Sequence, residues 1–195
     1  YYINPLVSML FGMLFFGERL RRAQKLAIAV AAAGVCIQII TIREIPLVSL
    51  GLALSFGLYG AMKKAISIEP AVALVIETLS VAPAALAYLC WLQHTGAAHF
   101  PYALTTDLLL AGTGVMTSVP LLLFAYAAQR IKLTTIGFIQ YVSPTMTFLI
   151  GTFIYHEPLS IYRIITFACI WSALAVYSAD TLIEAGRERR TQEYI

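Results

Sequence analysis

One long apolar stretch, with a proline near its start and a glutamate at its end, occurs twice in this sequence. Residues 2–20 match residues 141–159 at a constant offset of 139 positions, the separation of Glu18 and Glu157. The identical pairs are Tyr2 and Tyr141, Pro5 and Pro144, Leu10 and Leu149, Gly12 and Gly151, Glu18 and Glu157, and Leu20 and Leu159. An internal duplication therefore constrains any fold that this chain could adopt.

The composition is that of a membrane protein. Sixty per cent of the residues are hydrophobic and only 12% are charged, with a mean hydropathy of +0.82. About a quarter of the residues in a soluble domain are charged. Apolar runs of about 20 residues can cross roughly 30 Å of hydrocarbon as helices, and these runs lack the alternating polarity of barrel strands. The sequence therefore predicts an all-α, polytopic membrane helix bundle.

Charged or turn residues divide the chain into seven apolar segments. The segments cover residues 1–16, 24–42, 46–62, 71–92, 107–128, 135–155 and 162–183. The breaks between them are short, apart from a longer loop at residues 94–106, and residues 184–195 are expected to form a charged, frayed tail. We therefore predict seven transmembrane helices and no soluble domain.

Lysine and arginine indicate the orientation in the membrane. If the breaks alternate sides, one side collects Arg19, Arg21, Arg22, Lys25, Lys63, Lys64, Arg130, Lys132, Arg187, Arg189 and Arg190, and the other holds Arg43 and Arg163. Because positive charge accumulates on the cytoplasmic side, the carboxyl terminus is predicted to be cytoplasmic.

The duplication and this topology together predict an inverted repeat. The two copies are the first and the sixth apolar segments, so they cross the membrane in opposite directions. Residues 1–43 would be the last two helices of a first, truncated repeat, and residues 44–183 a complete five-helix second repeat. The same offset predicts about three further helices before Tyr1, making seven of an expected ten, in two inverted halves.

Several short motifs resemble a known family of membrane proteins. They are YINPLVS at residues 2–8, GERL at 17–20, LGLALSFGLYG at 50–60, Lys63-Lys64, Glu77-Thr-Leu, Val119-Pro-Leu, and GFIQYVSP at 137–144. In order and spacing they are similar to the EamA branch of the drug/metabolite transporter superfamily, over essentially the whole chain. The resemblance implies a ten-helix transporter of the bacterial inner membrane, with two EamA repeats around a central cavity and chloramphenicol-like compounds among its candidate substrates.

Glu77 lies about six residues inside its apolar segment, where a carboxylate needs a partner or water. It could be a cavity carboxylate that binds a cation or exchanges a proton, or it could pair with Lys63 or Lys64 to fix the end of the bundle. Proton exchange at this position would couple transport to a gradient.

Four prolines lie within apolar segments, where each removes a backbone hydrogen bond and is expected to kink its helix. They are Pro5, Pro83, Pro120 and Pro144. In transporters with inverted repeats, interrupted helices at corresponding positions of the two halves indicate the binding site, and Pro5 corresponds to Pro144. These prolines are therefore candidates for gating, with plain packing geometry as the alternative.

Polar or small residues recur every three or four positions along both copies of the repeat, which places them on one helix face. They are Gln140, Ser143, Thr147 and Gly151 in one copy and Asn4, Ser8 and Gly12 in the other. Such a face lines an aqueous path or packs against another helix. We predict pathway lining for Asn4, Gln140, Tyr2 and Tyr141, with a weaker candidate at Thr117, and close packing for the two glycines.

Three further features have simpler interpretations. Ala53, Gly57 and Ala61 are spaced by four and predict a seam of helix contact. Tyr59 could stack on a substrate or be a buried tyrosine with a hydrogen-bond partner. Glu18 and Glu157 mark helix ends at opposite surfaces, where a cap or ion pair is favoured over a gate.

Three classes of function remain in competition. A secondary transporter or exporter of small organic molecules is favoured by the repeat and the prolines. An intramembrane enzyme is disfavoured because the sequence has no catalytic or metal-ligand spacing and no phosphate-binding glycine loop. The third is a membrane-embedded scaffold or partner subunit without transport activity. We expect no cofactor apart from possible proton coupling, and expect the bilayer and a small-molecule substrate, but no nucleic acid, as partners; a homodimer stays open.

Overall fold

The computed structural model describes residues 2–42, 47–96 and 103–193, and within these ranges the regular structure is helical, with no strand. The helices in chain order are α1 (Ile3–Phe16), α2 (Arg22–Ile42), α3 (Leu47–Ala65), α4 (Pro70–His94), α5 (Leu104–Arg130), α6 (Leu133–Gln140), α7 (Val142–Phe153) and α8 (Ile161–Glu193). The predicted all-α fold is confirmed. The predicted boundary between repeats at residues 43 and 44, and most of the loop at 94–106, lie outside the described residues.

Among the described residues, five stretches are long and apolar enough to cross a membrane. They are Arg22–Thr41, Pro70–His94, Leu104–Arg130, Leu133–Phe153 and Ile161–Arg187. Of the other predicted spans, α1 has 14 residues, and α3 has 19 but ends in Lys63 and Lys64. Many large apolar side chains on these helices are exposed, such as Leu79 and Met116 on α4 and α5, as expected for surfaces that contact lipid or further helices. The chain is a multi-pass membrane protein.

The apolar segment predicted at residues 135–155 is divided into α6 and α7 at Tyr141. Pro144 has no N–H to donate to the carbonyl of Gln140, so the helical ladder is interrupted there. The Tyr141 N–H donates to the carbonyl of Phe138 at 3.2 Å, and the Thr145 N–H donates to the carbonyl of Tyr141 at 3.1 Å. The kink expected from Pro144 is therefore a break between two helices.

The last helix differs from the prediction at its far end. α8 continues through Glu193, so the backbone of most of the charged tail expected to be frayed at residues 184–195 is helical. Residues between 184 and 193 are mostly good helix formers such as Glu, Arg, Ala and Gln, and intrinsic propensity supports a helix without burial.

The chain forms two compact units, each described here by itself. One contains residues 1–62 and 131–195, and the other contains residues 63–130. The first unit holds α1, α2, most of α3 and α6 to α8, and it contains both copies of the duplicated stretch. The second unit holds the end of α3 together with α4 and α5.

In the first unit, α2 and α8 form an antiparallel pair. Arg21, just before α2, binds Asp180 in the second half of α8, with Nε 2.8 Å from Oδ2. Farther along α2, the carbonyl of Gly34 accepts a hydrogen bond of 3.0 Å from the hydroxyl of Thr166, near the start of α8. A Cβ at Gly34 would lie 2.8 Å from Cβ of Cys169. Because α2 and α8 correspond at the offset of 139, their antiparallel packing supports the inverted repeat.

Helices α1 and α6 also pack closely and in opposite directions. A Cβ at Gly137 would lie 2.6 Å from Cγ of Met9 and 2.7 Å from the carbonyl oxygen of Pro5. A Cβ at Gly12, toward the other end of α1, would lie 3.0 Å from the hydroxyl of Thr134. This approach confirms the packing role predicted for Gly12.

The seam predicted on α3 is confirmed. Ala53 and Ala61 are buried, and a Cβ at Gly57 would lie 2.7 Å from Cγ1 of Val7 on α1. Small residues at a spacing of four allow α3 to approach α1 closely.

In the second unit, the end of α5 fixes the connection between α3 and α4. The amide of Gln129 donates to the carbonyls of Ile66 at 3.1 Å and Ile68 at 2.8 Å. The hydroxyl of Tyr126 donates to Glu69 at 3.1 Å. The two bonds from Gln129 satisfy backbone carbonyls that the turn between α3 and α4 leaves outside a helix, and the bond from Tyr126 holds the carboxylate of Glu69.

Candidate substrate pathway

A group of polar side chains lies where α1 contacts the break between α6 and α7. The hydroxyl of Ser8 donates to Oε1 of Gln140 at 3.1 Å. Asn4 precedes Ser8 by one helical turn on α1, and Tyr141 follows Gln140 at the break itself. The structure therefore brings one residue of each predicted polar stripe, Ser8 and Gln140, into contact.

Three polar atoms in this group are buried without a hydrogen-bond partner among the residues that the structure describes. They are Oδ1 of Asn4, Nε2 of Gln140 and the hydroxyl of Tyr141. An unsatisfied buried polar atom costs about 1–3 kcal/mol, so such atoms are rare unless they have a task. They are an acceptor, a donor and a hydroxyl that can serve as either.

Tyr141 is a core residue as well as a candidate for the pathway. Its side chain is fully buried in an apolar cluster with Met9, Phe138 and Ile170. It lies eight residues after the start of α6, or about 12 Å along the span, and the hydrocarbon is roughly 30 Å thick. The unpaired hydroxyl is thus well inside the span Leu133–Phe153.

Tyr2 is only partly buried and packs against the edge of the same apolar cluster. Its ring meets Phe167 edge to face, with ring centroids 5.5 Å apart, and its side chain interacts electrostatically with Arg163. Arg163 in turn binds Glu157, with Nη1 2.9 Å from Oε2. Tyr2 therefore binds the beginning of α8, while its counterpart Tyr141 is buried in the core.

The prolines fall into two kinds of position. Pro5 is the third residue of α1 and Pro144 the third residue of α7, in the first turn, where a helix has no partner for the missing N–H. A kink at Pro5 is therefore not observed. Pro83 and Pro120 lie in the interiors of α4 and α5, on exposed positions of the second unit.

Two other predicted residues have local partners. The hydroxyl of Thr117 donates to the carbonyl of Thr113 on its own helix at 2.8 Å, and the side chain is exposed in its unit. The ring of Tyr59 lies beside Phe56, with centroids 6.1 Å apart. A pathway role for either residue stays a prediction.

Glu77 forms an ion pair with Lys63. Oε1 of Glu77 lies 2.6 Å from Nζ of Lys63, and the two side chains are 44% and 2% exposed. The sequence left open whether Glu77 pairs with Lys63 or with Lys64, and the structure contains the pair with Lys63. The ammonium group of Lys63 is buried, and a buried charge is expensive without a counter-ion.

A double-mutant cycle is expected to show this coupling. Lys63→Met and Glu77→Gln should each lower the melting temperature, and the double variant should be more stable than the sum of the single effects predicts. The coupling energy should be about 1–2 kcal/mol, because the exposed carboxylate is partly screened. Additive effects in the purified protein would show that the pair contributes no stability.

Glu18 caps the beginning of α6, across 115 residues of sequence. Its carboxylate accepts hydrogen bonds from the N–H groups of Leu133 at 2.7 Å and Thr134 at 2.9 Å, and from the hydroxyl of Thr134 at 2.5 Å. A carboxylate is favoured at this end because the first N–H groups of a helix are unpaired and its dipole is positive there. The cap interpretation of Glu18 is confirmed, although no nearby residue in the sequence indicates its partner.

The chain is similar to bacterial transporters. The model of the EamA-like transporter family matches residues 45–179. An uncharacterized transporter of Vibrio cholerae is 46% identical over 195 residues, which cover 98% of this chain and 64% of that protein. Protein RarD of Escherichia coli is 41% identical over 194 residues, with 99% and 64% covered.

A third relative, the uncharacterized transporter YojE of Bacillus subtilis, is 49% identical over 178 residues, which cover 91% of this chain and 59% of that protein. The chain thus spans about three-fifths of the length of these relatives. No solved structure matches it. Since the family model covers more than half of the chain, this chain belongs to the EamA-like transporter family, as a RarD-like member.

Proposed function

We propose that the chain is part of a secondary transporter that exports small organic metabolites or drugs by alternating access. The family is one of transporters, and relatives of this chain are called transporters. A relative from Pseudomonas aeruginosa, 30% identical over 93% of this chain, is called "Chloramphenicol-sensitive protein RarD". Chloramphenicol-like compounds are therefore candidate substrates.

The observation that supports this proposal best is the polar group between the two copies of the repeat. Ser8 of one copy binds Gln140 of the other, and buried polar atoms of Asn4, Gln140 and Tyr141 have no partner in the described part of the chain. Transporters built from inverted repeats bind their substrates near the middle of the membrane, at interrupted helices. Uncharged amide and hydroxyl groups at such a position suit a substrate that offers hydrogen-bonding groups of its own.

Glu77 is the candidate for coupling transport to a proton gradient. Protonation of its carboxylate would remove the ion pair with Lys63 and leave a buried ammonium group that favours rearrangement. The transporter would lie in the bacterial inner membrane with its carboxyl terminus in the cytoplasm, as the distribution of lysine and arginine predicts.

Flux measurements in proteoliposomes test this function. A protein of the relatives' full length that contains this chain would be reconstituted with and without an imposed proton gradient and offered amphenicols, amino acids and aromatic metabolites. We expect saturable flux that collapses in Glu77→Gln and is lost in the 195-residue form. Gradient-dependent flux unchanged in Glu77→Gln would contradict proton coupling through Glu77. No flux with folded protein would favour a scaffold.

Tyr141→Phe is expected to separate binding from stability. The hydroxyl is buried and unpaired, so its removal should leave the melting temperature within about 2 °C of the wild type. If the hydroxyl binds substrate, KM should rise by roughly tenfold, the loss of about one hydrogen bond. Tyr177→Phe is a matched control, because the hydroxyl of Tyr177 is paired with Thr135 and its loss should affect stability more than KM.

A further inference from the structure

The two copies of the repeat end in the same local structure. Gly17 and His156, which correspond at the offset of 139, both have left-handed backbones, with φ of 58° and 50°. The following glutamate then donates its N–H to the carbonyl six residues earlier, from Glu18 to Gly12 at 3.2 Å and from Glu157 to Gly151 at 2.9 Å. The duplicated sequence thus folds into a duplicated turn.

Both turns place the glutamate side chain over the corresponding glycine. A Cβ at Gly12 would lie 2.6 Å from Oε2 of Glu18, and a Cβ at Gly151 would lie 3.1 Å from Oε2 of Glu157. Glycine at these positions leaves room for the carboxylate to reach beyond the end of its own helix. The two carboxylates are therefore held in equivalent positions by equivalent neighbours.

Their partners differ. Glu18 binds the first N–H groups of α6, whereas Glu157 binds Arg163 and has a side chain that is 48% exposed. In the first copy the residue corresponding to Arg163 is Gln24. Within the described part of the chain, the exposed carboxylate of Glu157 thus has no counterpart of the helix beginning that Glu18 binds.

The inverted symmetry identifies where that helix should begin. Packing between the copies already follows this symmetry. Gly34 of one copy contacts Thr166 of the other. Their counterparts at the offset of 139, Ala173 and Ala27, are both buried in one cluster. The symmetry that relates the two copies also relates Glu18 to Glu157. It relates Leu133 and Thr134 to the positions seven and six residues before Tyr1, and this chain covers 64% of the longer Vibrio cholerae relative.

We propose that, in a protein of the relatives' full length, the carboxylate of Glu157 binds the N-terminus of the helix that begins six to seven residues before Tyr1. Glu18 and Glu157 then form a reciprocal pair of caps, one near each membrane surface, and each joins one repeat to the other. Arg163 holds Glu157 in place at the rim of this contact. The surface around Glu157 is an interface for a helix N-terminus.

Cysteine cross-linking tests the contact directly. In the full-length protein with its native cysteines replaced, Glu157→Cys would be paired with a cysteine seven residues before Tyr1. Glu18→Cys with Leu133→Cys is the positive control, because the structure contains that contact. Tyr155→Cys, an exposed position, paired with the same upstream cysteine is the negative control. Disulfides require Cα atoms within about 7 Å.

We expect the Glu157 pair to cross-link as completely as the positive control and roughly fivefold or more above the negative control. Cross-linking of the Glu18 pair alone would overturn the proposal. Neither result depends on transport, so failure of this contact and failure of the proposed function are distinguishable.

Melting temperatures provide a second test. In the full-length protein, Glu157→Gln should lower the melting temperature by about 2–4 °C, as expected for the loss of a helix cap, and in the 195-residue chain it should have little effect. Arg163→Ala should cost less than Glu157→Gln in the full-length protein. Two results would contradict the cap. If Glu157→Gln lowered the melting temperature equally in the full-length and the 195-residue protein, or if Arg163→Ala and Glu157→Gln lowered it equally in the full-length protein, Glu157 would serve only its ion pair with Arg163.

Discussion

Replacing Gly137 with alanine is expected to lower the free energy of unfolding by about 3 kcal/mol, because it forces α1 away from α6. The added Cβ would lie 2.7 Å from the carbonyl oxygen of Pro5, a backbone atom that cannot rotate away. It would also lie 2.6 Å from Cγ of Met9, whose side chain is fully buried. Alanine favours a helix over glycine by about 1 kcal/mol, so a net loss would have to come from packing.

The effect on transport should exceed the effect on stability. Gly137 precedes Gln140 by one turn, and a displacement of α1 would break the hydrogen bond between Ser8 and Gln140. In a protein of the relatives' full length, we expect the folded Gly137→Ala variant to have lost most of its substrate flux.

Gly112→Ala is the matched control, because a Cβ at Gly112 on α5 meets no atom within 4 Å. It should leave the melting temperature unchanged or raise it. The measurement is thermal unfolding of both variants in the same detergent. A Gly137→Ala protein as stable as the control would contradict the close packing of α1 and α6.

Replacing Glu18 with alanine should cost about 2–3 kcal/mol. The change leaves two N–H groups of α6 and the hydroxyl of Thr134 without their acceptor, and it removes a negative charge from the positive end of the helix dipole. Glu18→Gln keeps a single acceptor oxygen and should lose about half as much. The expected order of melting temperatures is wild type, Glu18→Gln, Glu18→Ala.

Glu184→Ala is a suitable control for the loss of a carboxylate. Glu184 lies 2.9 Å from Arg21, but its side chain is 40% exposed, and an exposed ion pair contributes less than about 1 kcal/mol. If Glu184→Ala destabilised the protein as much as Glu18→Ala does, the special position of Glu18 at the start of α6 would be refuted.

Much of the fold follows from patterns that a sequence carries locally. Apolar runs bounded by charges predicted the helices, and the spacing of Ala53, Gly57 and Ala61 predicted the seam that packs on Val7. The repeat predicted corresponding helix ends at Glu18 and Glu157, and the backbone just before each glutamate, at Gly17 and His156, is alike. These features depend on neighbours within one or two helical turns.

The features that were not predicted depend on distant partners. Nothing near Glu18 in the sequence indicates the N-terminus of α6, 115 residues away. The choice of Lys63 over Lys64 as partner of Glu77 depends on the direction in which each side chain leaves α3. The break at Tyr141 did have a local signal, because Pro144 cannot donate to Gln140, but a kinked helix would satisfy the same constraint.

The candidate site shows the same division. The polar stripes predicted that Asn4 and Ser8 share a face in one copy and that Gln140 lies on the stripe of the other, and the structure brings Ser8 and Gln140 into contact. The paired tyrosines differ in burial, because Tyr141 is fully buried in the apolar core, whereas Tyr2 packs against the edge of that core with its ring on Phe167. Identical residues at equivalent positions thus differ because the residues packed against them differ.

The most direct test of the account is the accessibility of position 140 from both sides of the membrane. Gln140→Cys, in full-length protein without other cysteines, would be exposed to a small membrane-impermeant thiol reagent on either side of oriented proteoliposomes. Met146→Cys, whose side chain is 52% exposed on α7, is the control for a surface that faces lipid. Alternating access predicts labelling of position 140 from both sides and of position 146 from neither. A position 140 that reacts from neither side would show that the polar group is a packing contact and that the pathway lies elsewhere.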